Sequence, residues 1–177
     1  MMNEKTLVLG GIRSGKSDQA EELAKRAGRD VIYLATATAG DGEMLDRIKR
    51  HQARRPESWG LEEEPVALAR ILRRHQADAP CLLVDCMSLW LSNLLGEDED
   101  LTEEVDALLD ALEAYPGPVV IVSNEVGLGL IGMDSLTRRF CDELGWLNQA
   151  LAKRCDNVVL TVAGLPQVLK GRLAPES

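Results

Sequence analysis

Apolar residues run almost without interruption through Thr6–Leu9, Val31–Ala35, Cys81–Val84, Val119–Val122 and Val158–Val162. These runs are rich in β-branched side chains, which suit strands. Because they are continuous rather than alternating, both faces of each strand must be covered, the mark of a parallel sheet. Between them the spacing changes to that of helices. Ala20, Leu23, Ala24 and Ala27 form a stripe that ends at Gly28, and further helical patterns cover roughly 43–54, 65–76, 87–95, 102–114 and 135–154. The acidic stretch 97–104 reads as a solvated connection. Strands alternating with helices predict an α/β domain. With no internal repeat, low-complexity segment or Pro-rich linker, residues 1–177 read as a single domain.

Composition narrows the picture. The chain has 177 residues, 45% hydrophobic and 28% charged, so it can bury a core without relying on disulfides or metals. Aromatic residues are only 3%, which leaves aliphatic side chains to fill that core. A net charge of −9 opposes binding to nucleic acid or an anionic membrane surface. Against this background Arg47, Lys49, Arg50, Arg54 and Arg55 form a local cationic cluster. No stretch approaches the roughly 20 apolar residues of a membrane span, and no cleavable leader is read at the N-terminus, so a cytoplasmic protein is expected. Cys81, Cys86, Cys141 and Cys155 show no C-x-x-C pair or nearby histidine, which argues for reduced core residues rather than zinc ligands.

Gly10-Gly11-Ile12-Arg13-Ser14-Gly15-Lys16-Ser17 matches G-x-x-x-x-G-K-[ST] and falls between a predicted strand and a predicted helix, the setting of a P-loop. Glycines let such a loop curl its backbone N–H groups inward, and the helix that follows adds its positive N-terminal end. Lys16 is expected to reach the β- and γ-phosphates of a nucleoside triphosphate. Ser17 offers a hydroxyl to Mg²⁺, and Asp85, at the end of Cys81–Val84, is placed to hold that ion's water. Asp85 can equally cap the helix that begins near Met87.

In the segment 43–54, which Asp41 can cap and Pro56 limits, Met44, Ile48 and His51 fall at i, i+4 and i+7. His51 therefore shares the apolar stripe of an otherwise cationic helix. Spacing alone fits a packed, hydrogen-bonded histidine as well as a nucleophile. The nearby guanidinium groups suit triphosphate oxygens and favour a neutral imidazole, though they also fit a solvated face. His75, in Arg73-Arg74-His75-Gln76, reads as a surface residue without partners.

With both elements in view, the chain resembles the bifunctional adenosylcobinamide kinase / adenosylcobinamide-phosphate guanylyltransferase family. The likeness spans nearly the whole chain. It is carried by the P-loop, Tyr33-Leu34-Ala35-Thr36-Ala37, Arg47-Ile48 with His51 and Arg55-Pro56, Trp59 with Glu63 and Pro65, Ser123-Asn124-Glu125-Val126-Gly127, and Asn148-Gln149. Gly132 departs from it, because proline usually stands there. The resemblance implies a P-loop NTPase-type three-layer domain with a mostly parallel, RecA-like sheet. It implies two reactions: phosphorylation of adenosylcobinamide from ATP or GTP, then GMP transfer from GTP onto that phosphate with release of pyrophosphate.

By the same resemblance His51 carries GMP covalently, with Lys16 as the other catalytic residue. Nucleotide contacts fall on Gly10, Gly11, Ile12, Arg13, Ser14, Gly15, Lys16, Ser17, Ala35, Thr36, Ala37, Gln52, Ala53, Arg54, Arg55, Glu63 and Asp85, with Ser17 and Asp85 at the metal. The implied partners are the corrinoid substrate and further copies of the chain, a homo-oligomer for which a trimer is one candidate. Glu125 and Asp85 are both candidates to assist the kinase step, and neither is assigned as its base. Two rival readings remain open on the residues alone: a P-loop kinase of another small metabolite, and a non-catalytic nucleotide switch.

Overall fold

A computed structural model describes residues 3–37, 46, 49–50, 52–96 and 100–173. The elements are β1 (Lys5–Gly10), α1 (Lys16–Lys25), β2 (Val31–Ala35), β3 (Gly60–Glu63), α2 (Leu68–Arg74), β4 (Cys81–Asp85), α3 (Met87–Gly96), α4 (Leu101–Ala114), β5 (Val119–Asn124), α5 (Ser135–Arg154), β6 (Asn157–Val162) and β7 (Leu165–Lys170). Residues 46, 49–50 and 52–54 are also helical. The strands form one sheet in the order β3-β2-β4-β5-β1-β6-β7, parallel except for β7.

The continuous apolar strands are explained by two cores on opposite faces. Alternate residues of each strand point to opposite sides. Leu7, Leu9, Leu34, Leu82, Val84, Val119 and Ile121 pack with α2, α3, α4 and α5. Val8, Val31, Tyr33, Ala35, Cys81, Leu83, Val120 and Val122 pack with Ala20 and Ala24 of α1. The result is three layers, with Trp90 and Tyr115 fully buried among aliphatic side chains.

This arrangement fixes where a ligand can bind. The crossover from β1 to β2 runs one way along the sheet with α1 on one face, while the crossover from β5 to β6 runs the other way with α5 on the opposite face. Right-handed connections that diverge in this manner open a crevice at the carboxyl ends of the strands. Gly10, Ala35, Asp85 and Asn124 all stand at those ends.

Two strands lie outside the apolar runs. β3 is an acidic edge strand, Gly60-Leu61-Glu62-Glu63, paired with β2. β7 pairs with β6 through a two-residue turn, Ala163 and Gly164, both at positive φ (53° and 77°), as a tight hairpin requires. The 65–76 pattern shortens to Leu68–Arg74, and residues 101–104 of the acidic stretch form the first turn of α4 rather than a connection. His75 also differs from expectation: its Nε2 lies 2.8 Å from Glu62 Oε1, and its side chain is only 17% exposed.

Candidate active site

The phosphate loop joins β1 to α1 in the way its sequence demands. Arg13 (φ 51°) and Gly15 (φ 91°) both adopt left-handed conformations, which turn successive amides toward one side as an anion nest. A side chain at Gly15 would be strained and would bring its Cβ to 3.1 Å from the Gly164 backbone. At Gly10 an added Cβ would come 2.3 Å from Ser14 Oγ. The β6–β7 turn braces the loop, since Gly164 N donates to Ser14 O at 2.7 Å. Lys16 Nζ donates to Gly11 O at 3.0 Å, so the side chain folds back over its own loop.

Above the loop lies a cleft of about 680 Å³. Ile12, Arg13, Ser14, Gly15, Lys16 and Ser17 form its floor, and Ala35, Ala37, Asp85 and Asn124 line it from the strand ends. Arg50, Arg54 and Arg55 close it with positive charge. Arg54 pairs with Asp18 in the first turn of α1, which ties the cationic segment to the helix behind the loop. Ser17 and Asp85 therefore present a hydroxyl and a carboxylate to one space, hard oxygen donors of the kind Mg²⁺ takes alongside phosphates and water.

Other expected positions are placed differently. Thr36 is fully buried, and its Oγ1 donates to Cys86 O (2.8 Å) and accepts from Cys86 N (2.9 Å), so its side chain locks β2 to the end of β4. Gln52, Ala53 and Glu63 are exposed, and none of the three lines the cleft as described. Gly10 and Gly11 open the loop rather than its lining. His51, together with Asp41, Met44, Arg47 and Ile48, lies outside the described residues. Arg50 and Arg54, on either side of His51 in the sequence, do reach the cleft.

Several lining residues were not assigned to the site from the sequence, although Tyr33 and Asn124 stand in segments that carry the resemblance: Tyr33, Cys86, Ser88, Leu89, Asn124 and Phe140. Tyr33 Oη donates to Asp85 Oδ2 at 2.6 Å, and the Arg55 guanidinium carbon sits 3.3 Å from the Tyr33 ring centroid. Burial, then the charge and hydrogen bond of Asp85, holds the phenol well above its ordinary value. Burial draws the Arg55 guanidinium below its usual range, opposed by Tyr33, Glu21 and Asp85. The Cys86 thiol, 3.1 Å from Ser88 Oγ, is pushed upward by burial and by Asp85, which keeps it protonated. Period two puts Tyr33 on the same face of β2 as Ala35, but only the pairing of Ala35 with Asp85 brings it beside that carboxylate. At Gly132 an added Cβ would lie 2.4 Å from Thr137 Cγ2, so this loop packs closely on the first turn of α5.

Residues 6–169 match the model of the family described as Cobinamide kinase / cobinamide phosphate guanyltransferase. The chain belongs to this family. It is 54% identical over 167 residues to a bifunctional adenosylcobalamin biosynthesis protein, CobP, of Pseudomonas aeruginosa, covering 93% of this chain and 96% of that one. It is 35% identical over 179 residues to the corresponding CobU protein of Escherichia coli, with 93% and 98% covered. Among solved structures it resembles the RadB recombinase (TM-score 0.52, 17% identity, 99% of this chain and 84% of that one). It also resembles a type III secretion ATPase (TM-score 0.53, 15% identity), of which it spans 57% against 94% of its own length. At such identities these two likenesses speak for the P-loop NTPase fold alone. Membership of the cobinamide kinase / cobinamide phosphate guanyltransferase family makes the chain a bifunctional enzyme, a kinase and a guanylyltransferase. Among the described residues no helix is long and apolar enough to cross a membrane.

Proposed function

We propose that this enzyme phosphorylates the hydroxyl of adenosylcobinamide with ATP or GTP, then transfers GMP from GTP to that phosphate through a histidyl-GMP intermediate on His51. The observation that carries the proposal is the convergence of Lys16, Ser17, Arg50, Arg54, Arg55 and Asp85 on one cleft at the phosphate loop, in a chain of this family. The loop amides and Lys16 hold the triphosphate, and the arginines neutralise charge that builds on the departing pyrophosphate. Ser17 and Asp85 would hold Mg²⁺, which when bound supplies charge neutralisation across the phosphate oxygens.

In the first transfer an imidazole nitrogen of neutral His51 bonds to the α-phosphorus, and the bond to the β-phosphate oxygen breaks. In the second, an oxygen of adenosylcobinamide-phosphate bonds to the same phosphorus and releases the imidazole. That acceptor is already ionised and needs no general base. The kinase step acts on an alcohol and depends on positioning and charge stabilisation. Edge strand β7 leaves Leu165, Val168 and Leu169 exposed, which supports assembly into a homo-oligomer, a trimer being one form to test.

Incubation with α-labelled GTP tests the scheme. Wild type takes up covalent label and His51→Ala does not; equal labelling overturns the nucleophile assignment. Lys16→Ala is expected to lose both activities, and full retention would overturn the nucleotide site itself.

A further inference from the structure

We propose that Tyr33 is a positioning residue for both transfers: its hydroxyl sets the Asp85 carboxylate and its ring seats the Arg55 guanidinium at the nucleotide cleft. The proposal rests on reading that cleft as the nucleotide site. Tyr33 is 5% exposed, and Tyr33, Arg55 and Asp85 all line the cleft. The three come from separate parts of the chain. Tyr33 is central in β2 and Asp85 ends β4, whereas Arg55 follows the helical residues 52–54 ahead of β3.

Strand pairing accounts for part of this. Ala35 is in register with Asp85, so period two puts Tyr33 and Asp85 on the same face of the sheet, the one packed by α1. A carboxylate at a strand tip can still rotate. The 2.6 Å hydrogen bond from Tyr33 engages Oδ2, which restrains rotation of the group and leaves Oδ1 as the oxygen that Tyr33 does not use.

Arg55 needs holding for a different reason. A guanidinium on a long, flexible stem loses rotamer freedom when it is ordered, and stacking on an aromatic ring orders it in advance. At 3.3 Å the ring of Tyr33 provides that surface, and Glu21 of α1, 6% exposed, adds attraction. One side chain thus sets the distance between a cation and an anion that face the same ligand.

Tyr33→Phe keeps the ring and removes only the hydroxyl. It is expected to lower kcat of both steps about tenfold while the KM for GTP stays within about twofold. In an Asp85→Ala background, which removes the acceptor, the same substitution should cost nothing further, because its effect passes through Asp85. Tyr33→Leu removes the ring as well and should also raise the KM for GTP about tenfold. Wild-type kcat in Tyr33→Phe, or an undiminished loss in the Asp85→Ala background, overturns the proposal. If Tyr33→Leu does not fold, the Phe variant still decides the matter. An inactive Lys16→Ala beside a fully active Tyr33→Phe would refute the positioning role and leave the nucleotide site standing.

Discussion

Asn148 shows how α5 holds the site in place, and its removal should be felt in both stability and activity. Its Oδ1 accepts from Ser123 Oγ at 2.6 Å, and its Nδ2 donates to Asn124 O at 3.2 Å. Ser123 is fully buried and Asn148 is 8% exposed, so water cannot easily replace either bond. Asn148→Ala leaves the Ser123 hydroxyl orphaned, at about 1–3 kcal/mol, and gives up the second bond, at about 1 kcal/mol. A loss of about 3 kcal/mol corresponds to roughly 6–12 °C in thermal midpoint for a chain of this size. Urea unfolding of wild type, Asn148→Ala, Ser123→Ala and the double variant gives the measurement. The double variant removes both members of the Ser123–Asn148 pair and orphans neither, so it should lose at least about 1 kcal/mol less than the sum of the single losses. Because Asn124 lines the cleft, Asn148→Ala should also raise the KM for GTP. Additive losses, or a loss under about 0.5 kcal/mol, would refute the account.

Glu64 accepts from Val66 N (3.1 Å) and Ala67 N (3.2 Å) ahead of α2 and from Arg70 (2.7 Å). Burial pushes its carboxyl upward, but those hydrogen bonds outweigh it and hold the group below its ordinary 4.5. A depressed acid stabilises fully above its unfolded value and loses that contribution as pH falls through the folded one. Glu64→Ala should therefore cost about 1–2 kcal/mol at neutral pH, with the gap to wild type closing below about pH 4 in chemical unfolding; a constant gap from neutral pH to pH 3 would contradict this. Cys81, Cys86 and Cys155 are buried, and burial pushes the Cys81 and Cys155 thiols up to about 12, whereas Cys141 is half-buried. A thiol reagent should label one cysteine quickly in the folded enzyme and all 4 after denaturation. A second fast equivalent would contradict the burial.

The sequence determined the central strands and the phosphate loop, because each is written in local chemistry. Val119–Val122 is apolar on both faces and can only be a covered strand, and Gly15 with Lys16 and Ser17 specifies the loop wherever the chain places it. The edge strands were a different matter. β3 is acidic because an edge must resist pairing with other chains, and β7 carries Pro166, which is tolerated only at such a position. Neither looks like a strand until its neighbour is known.

Tertiary structure alone decided which residues meet. Glu62 and His75 stand on separate elements, so their 2.8 Å contact has no signature in either segment. The same holds for Tyr33, whose aromatic ring at a β-strand position reads as core packing. Only the register of β2 on β4 and the return of Arg55 across its face place a hydroxyl, a carboxylate and a guanidinium in contact. Local sequence sets what each group can do; the distances that make a site come from how the sheet is ordered and how the chain crosses back over it.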